Sequence, residues 1–275
     1  MPELPETETI ARDLDREVSG ARIESVTITR PDVLRESSTA AFVQRVSGTT
    51  IRHTWRRAKL IVLDLSSGDR IVVQPRFTGA MLVDAGQLPE EERRYSTMAL
   101  TLDDGRKVHY RDIRRLGTVT VMSQDRFAAY VSRLGDEPLD PSFTQERLAE
   151  LLAHSRQAVK KSLMDQRVVV GLGNIYAVEA LWRAGIDPSR ESRSINRDEV
   201  ARLHEGIVSV LTDSIAHRGT SFRDYRDAHG ARGGFVPHLA AYGREEEPCR
   251  RCGRKLIGTH AIDGRATVFC ATCQH

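Results

Sequence analysis

The sequence predicts an α+β protein: an amino-terminal helix on an antiparallel β-sandwich, then a helical region, then a metal-bound β-hairpin. Three observations carry this. Short β-type runs joined by hairpin turns fill the first half, the apolar period becomes helical after residue 143, and all four cysteines fall within the last 27 residues.

At 275 residues and 40% apolar content, the chain has material for one large or two ordinary domains. Its first 20 residues are charged throughout and lack the apolar core of a secretory signal. No stretch approaches the roughly 18 uninterrupted apolar residues of a membrane span. A cytoplasmic protein with no membrane partner is expected. The formal charge of +3, from 41 basic and 38 acidic residues, says little about partners. Local excess says more. Residues 106–115 hold five basic side chains against Asp112, and residues 248–275 hold five against Asp263. Either cluster reads as a face for a phosphate backbone or as a solvated basic surface.

In chain order, Ile10, Leu14 and Val18 recur every four residues with acids before them and Gly20 beyond, which predicts an amphipathic helix from Pro5 to Val18. Strands are predicted over Arg22–Thr29, Thr49–Trp55, Lys59–Leu65, Arg70–Gln74, Met98–Leu102, Lys107–Tyr110 and Thr118–Met122. Hairpin turns fall at SSGD (66–69) and DDG (103–105). Breakers in SRLGDEPLDPSF mark residues 132–143 as a linker. Helices follow over Gln145–Ala153 and Arg156–Met164, then a turn at Gly171–Asn174 and another helix. A long helix starts at Asn196, with Glu199 three residues on completing a capping box, and ends before Gly219. A glycine-rich loop covers 228–234. The expected division is therefore 1–131, linker 132–143, a helical domain over 144–247, and a four-cysteine zinc finger over 248–275.

Cys249-x2-Cys252 and Cys270-x2-Cys273 are separated by seventeen residues. Two such knuckles complete a tetrahedral shell of four sulfurs for one Zn²⁺, and such a closed shell is structural because it leaves no open position. Disulfides are the competing reading, disfavoured in a reducing cytosol. Arg265 lies near the tip of the intervening hairpin.

The opening MPELPE has two readings. Glu3, Pro5 and Glu6 start a helix; or Pro2, once Met1 is removed, is a reactive secondary amine. A reference α-amino group with a pKa of about 7.7 to 8.0 is roughly a tenth neutral at pH 7, against about 0.04% for a lysine. The positive end of the following helix disfavours the ammonium, while Glu3 and Glu6 pull the other way. A secondary amine attacking a sugar C1′ gives a charged iminium, an electron sink that acidifies the C2′ proton and permits elimination of the 3′ phosphate.

The opening residues resemble those of the formamidopyrimidine-DNA glycosylase family. So do RRAKLIVL, DIRRLG, LMDQRVVVGLGNIYAVEALWRAGIDP, GTSFRDY, AYGREEEPCRRCG and RATVFCATCQ, in the same order along the chain. The resemblance implies a bifunctional glycosylase and abasic-site lyase that removes oxidised purines from double-stranded DNA as a monomer, bound between the two halves of the chain. Pro2 would be the Schiff-base nucleophile and Glu3 the proton donor or acceptor. Lys59 would bind phosphate and serve β-elimination, and Arg265 would hold the phosphate lost in δ-elimination. GLGN resembles the turn of a helix-two-turn-helix element, with Asn174 on phosphate. Lys160 would be a further phosphate contact or a solvated helix lysine.

Excision needs the damaged nucleotide outside the helix, and the family fills the gap from two loops, here QPRFTG and IRRL. Arg114 would pair with the orphaned cytosine. Phe77 stands where the family pattern HLGMSG has methionine, and Leu116 where RRFG has phenylalanine; both remain apolar wedges or core residues. The first loop also departs at Gln74, Pro75 and Arg76, which bears on lesion preference. Tyr95 stands near a family DNA-binding histidine, and that role is not carried over. SFRDYRDAHGARGGFVPHLAAYGR resembles the loop that closes over an everted 8-oxoguanine. His204, His217, His229 and His238 show no metal spacing. Two alternatives stay open: an endonuclease VIII-type enzyme for oxidised pyrimidines, and a damage-binding paralogue with weak excision.

Overall fold

A computed structural model describes residues 2–275. They form two compact units. One comprises the chain up to Arg133 together with His217–Gly234; the other comprises Leu134–Ala216 and Phe235–His275.

The first unit opens with α1 (Leu4–Val18). Pro5 supplies a preset φ in the first turn, and the Glu3 N–H donates to Glu6 Oε2 at 2.8 Å, so a helix-start donor is satisfied locally. Ile10, Leu14 and Val18 are fully buried, as their spacing predicts. The chain continues through β1 (Ile23–Ile28), α2 (Thr39–Val46), β2 (Ile51–Arg57), β3 (Leu60–Leu65), β4 (Arg70–Gln74), β5 (Gly79–Asp84), α3 (Glu90–Arg93), β6 (Ser96–Leu102), β7 (Lys107–Asp112), β8 (Thr118–Met122) and α4 (Gln124–Val131). The strands form two four-stranded antiparallel sheets, ordered β1-β6-β7-β5 and β2-β3-β4-β8. Ile61, Leu63, Ile71, Val73 and Met98, Leu100, Leu102 belong to one buried cluster with the apolar face of α1.

Most predicted strands are present within a residue or two. Three differences have physical causes. Lys59 is not in a strand: Arg57 pairs with Leu60, leaving Ala58 and Lys59 as a two-residue hairpin turn, with Ala58 at φ +54°. β5 lacks a sequence prediction because all six of its residues are buried, so no period-two alternation exists to read. α2 and α4 are eight residues each, capped by Ser38 and Ser123 side chains but burying only one or two apolar residues.

The second unit holds α5 (Gln145–Leu152), α6 (Val159–Met164), α7 (Asn174–Ala184), α8 (Arg197–Ala216) and the hairpin β9 (Ile257–Thr259) with β10 (Thr267–Phe269). The capping box at α8 is present: Glu199 N–H donates to Asn196 Oδ1 at 3.0 Å and Asn196 N–H to Glu199 Oε2 at 2.8 Å. α7 ends at Gly185, whose φ of +70° is the left-handed conformation that a Cβ disfavours.

Two features of the expected division change. The helical region and the cysteine hairpin are one unit, and residues 217–234 leave the helical region for the first unit. There Arg218 pairs with Asp13 and Asp227, Thr220 N–H donates to Glu6 Oε1 at 2.7 Å, and Val83 N–H donates to the Ala228 carbonyl at 2.8 Å. These bonds join segments far apart in sequence, so no local pattern announces them. No helix among the described residues is long and apolar enough to cross a membrane.

Candidate active site and nucleic-acid interface

Pro2 and Glu3 are both buried where the chain enters α1, Glu3 being only 2% exposed. Removal of Met1 would leave the Pro2 secondary amine at the positive end of the helix. Met1 itself lies outside the described residues. Glu6 accepts backbone N–H bonds on both oxygens, from Glu3 and from Thr220, and so ties the helix start to the 217–234 loop. Gly219 sits against it at φ +85°; a Cβ there would lie 2.9 Å from Glu6 Oε1.

Lys59 lies on the turn between β2 and β3, which Arg56 ties to α1. The Arg56 Nε lies 2.7 Å from Glu8 Oε2, and its NH1 donates to the Ala58 carbonyl at 3.0 Å. One guanidinium thus fastens α1 to the turn that carries Lys59. Burial alone would raise the Glu8 carboxyl; Arg56, assisted by Arg12, more than offsets it and holds the group below its ordinary value.

Phe77, Arg114 and Leu116 are exposed on the β4–β5 and β7–β8 loops, Phe77 and Leu116 at 46% and 42%. They are not core residues. The Arg114 guanidinium lies over the Phe77 ring, 5.2 Å from its centroid. Arg76 and Arg115, beside them, hold φ of +53° and +52°. Tyr95 is engaged by its neighbour, Arg94, which both donates to its hydroxyl at 2.7 Å and covers its ring.

In the second unit the exposed Arg265 lies between β9 and β10. Its N–H donates to Asp263 Oδ1 at 3.1 Å. Lys160 is corrected here: it is neither solvated nor presented to a phosphate, but fully buried in α6, with Nζ 3.0 Å from Asp263 Oδ1 and 2.7 Å from Thr267 Oγ1. Burial pushes its ammonium below the usual lysine range, and Asp263 only partly opposes that. Asn174, first residue of α7, donates from Nδ2 to the Ala266 carbonyl at 2.8 Å. Two side chains that the sequence suggested for phosphate thus brace the segment carrying Arg265. Beside it a concavity of about 430 Å³ is lined by Lys161, Arg167 and Arg265 together with Asp165 and Asp263.

The four cysteine sulfurs cluster within 4.8 Å of one another, with Cys252 and Cys270 Sγ 3.5 Å apart. Tetrahedral sulfurs about 2.3 Å from Zn²⁺ would be roughly 3.8 Å apart, so the set fits the ion. Electrostatics agrees. Burial would raise the Cys249 thiol, but the amides of Cys252 and Arg251 bring it below its ordinary value, while burial and the sibling sulfurs push Cys273 up. Four sulfurs this close could all ionise only around a cation. Trp182 packs against this cluster, and Gln274 pins it to the segment just after α7 by accepting from Cys270 N–H and donating to the Ile186 carbonyl, both at 2.9 Å.

Among the histidines, His229 falls in a cluster with Asp13 and Asp227, and it also pairs with Glu17. The two aspartates are already bridged by Arg218, which fills the place a cation would take. His204 stacks on Phe143 and bonds its carbonyl, as a structural residue does.

The amino-terminal proline is buried at a helix start, and exposed arginines project from the β7–β8 loop and from the cysteine hairpin. Residues 1–119 match the formamidopyrimidine-DNA glycosylase N-terminal domain and residues 134–226 the formamidopyrimidine-DNA glycosylase H2TH domain. Formamidopyrimidine-DNA glycosylases of Roseiflexus sp. and Herpetosiphon aurantiacus are 41% and 40% identical, with full coverage of both chains. A mutant of the Lactococcus lactis FPG, solved in complex with Fapy-dG-containing DNA, aligns with a TM-score of 0.91 at 30% identity over 100% of both chains. MutM (Fpg) from Thermus thermophilus aligns with a TM-score of 0.86 at 34% identity over 99% of this chain and 98% of that one. The chain belongs to the formamidopyrimidine-DNA glycosylase family, DNA glycosylases of base excision repair.

Proposed function

We propose that this protein is a bifunctional glycosylase and abasic-site lyase that removes oxidised purines, 8-oxoguanine and formamidopyrimidines, from duplex DNA. The observation that carries the reading is the burial of Pro2 and Glu3 at the start of α1. With Met1 removed, the Pro2 nitrogen attacks C1′ as the base leaves, and Glu3 handles the protons of the sugar-ring oxygen and water. The resulting iminium acidifies C2′–H, and loss of that proton expels the 3′ phosphate. Lys59, on the turn that Arg56 fastens to α1, serves this β-elimination. A second elimination releases the 5′ phosphate, for which Arg265 is the holding group. Cys249, Cys252, Cys270 and Cys273 would hold Zn²⁺ in a closed shell, a structural role that would stiffen the hairpin presenting Arg265.

Support for the DNA partner comes from the relatives: the Lactococcus lactis protein is solved with Fapy-dG-containing and with abasic-site DNA. A second reading, oxidised pyrimidines as further substrates, is favoured by a complex of that same protein with an oxidised pyrimidine. The reading takes the protein to act as a monomer.

The test is borohydride trapping on duplexes carrying 8-oxoguanine or thymine glycol. A covalent adduct is expected, with peptide mapping placing the DNA on Pro2. An adduct on a lysine side chain, or full-speed incision by protein retaining Met1, would overturn the assignment. Excision of thymine glycol well ahead of 8-oxoguanine would select the pyrimidine reading, and binding without incision the damage-binding one.

A further inference from the structure

The two exposed loops of the first unit meet at a buried carboxylate to which the proposed chemistry assigns no role. Asp112, the last residue of β7, is 1% exposed and accepts from both loops. From the β4–β5 loop, Thr78 Oγ1 donates to its Oδ1 at 2.5 Å. From the β7–β8 loop, Gly117 N–H donates to its Oδ2 at 2.8 Å. Thr78 Oγ1 in turn accepts the Arg114 N–H at 2.9 Å, which links the backbone of one loop to the side chain of the other. The Tyr110 hydroxyl approaches Oδ2 at 3.4 Å and stays a donor, since burial first and the Asp112 charge second push its pKa far up. Arg111 adds a bond from NH1 to the Thr78 carbonyl at 3.1 Å.

Steric fit is as demanding as the bonding. A Cβ on Gly117 would fall 1.9 Å from the Tyr110 hydroxyl and 2.7 Å from the Gln74 carbonyl oxygen; one on Gly79 would fall 2.4 Å from the Pro75 oxygen. The packing at Gly117 and Gly79 therefore leaves no room for a Cβ at either position. Each also holds a non-glycine residue at positive φ beside its projecting side chain: Arg76 before Phe77, and Arg115 between Arg114 and Leu116. Such conformations persist only where surrounding bonds over-determine them.

We propose that Asp112 is a positioning residue that locks the two loops into one rigid wedge, so that Phe77 and Arg114 enter a duplex as a preassembled stacked pair. The proposal rests on the DNA-glycosylase reading. Asp112 suits the role because an ionised carboxylate accepts several bonds at once and donates none. An asparagine offers one accepting oxygen, and its NH₂ would face a donor.

Asp112→Asn and Thr78→Val separate this from a general loss of fold. Single-turnover excision of 8-oxoguanine from duplex is expected to fall roughly tenfold to a hundredfold in Asp112→Asn, since small misplacements cost that much. Borohydride trapping on a single-stranded abasic oligonucleotide, which has no partner strand to wedge, is expected to match wild type. The double variant is expected to be no worse than Asp112→Asn alone. Hydrogen exchange at the Arg114 and Gly117 amides is expected to rise together in Asp112→Asn, a readout independent of activity. Wild-type duplex excision by Asp112→Asn, an equal loss on single strands, or unchanged exchange at both amides would overturn the proposal. Wild-type protein that neither excises nor traps overturns the enzymatic reading instead, and the exchange measurement still decides whether Asp112 couples the loops.

Discussion

Lys160→Met discriminates between two physical roles for one lysine. Its Nζ lies 3.0 Å from Asp263 Oδ1 with neither side chain appreciably exposed. At an effective dielectric of about 20, that separation corresponds to roughly 5 to 6 kcal/mol of attraction. Desolvation consumes much of it, and the depressed lysine pKa says that burial is the larger effect on the ammonium. Methionine has a similar length, so packing survives while Asp263 is left buried and unpaired, at a cost of about 3 to 5 kcal/mol. Adding Asp263→Asn removes that charge and keeps an oxygen for the Arg265 N–H. The double variant is therefore expected to recover most of the stability, although each change alone lowers it. Thermal unfolding across the cycle, with zinc release followed by a chromogenic chelator, reads the coupling. Affinity for an abasic duplex across about 50 to 200 mM salt reads the alternative, because a lost phosphate contact lowers the salt slope by about one. A Lys160→Met protein with unchanged melting and zinc retention but a slope reduced by one would refute the internal-strut argument.

Other expectations follow from the same contacts. Arg56→Ala leaves the half-buried Glu8 with Arg12 alone and frees the Ala58–Lys59 turn, so it should cost about 2 kcal/mol in denaturant unfolding and slow β-elimination more than base release. Glu8 is held below its ordinary value, so its stabilisation is complete above about pH 4.5 and fades as pH falls through the folded value; Glu8→Gln should flatten that acid limb in pH-dependent melting. Chelation of the metal from the four-cysteine shell should abolish duplex binding and incision, and Zn²⁺ should restore both, whereas a preparation incising normally after complete metal removal would contradict a structural ion. Phe77→Ala removes the ring beneath Arg114 and should narrow the preference for cytosine over adenine opposite the lesion several-fold, with trapping on single-stranded abasic DNA unchanged.

Where a signal is written in neighbouring residues, the sequence disclosed it. The four-residue apolar spacing of α1, the Asn196–Glu199 cap, the SSGD and DDG turns and the two CxxC knuckles are local, and each appears in the structure as its own chemistry requires. β5 escaped because a strand covered on both faces has no polar alternation. The sequence pattern extends a strand over Lys59 because Ala58 makes the two-residue turn at positive φ, without the glycine or asparagine that usually advertises it.

By itself, then, the sequence determined the α+β class, the cysteine shell and the family, because these rest on short-range periodicity, spacing and motif order. Only the tertiary structure decided what the charged side chains do. Lys160 meets Thr267 across 107 residues, Thr78 meets Asp112 across 34, and Glu6 meets Thr220 across 214. A buried charge is tolerable only beside its partner, and which partner the returning chain delivers is a property of the packed fold.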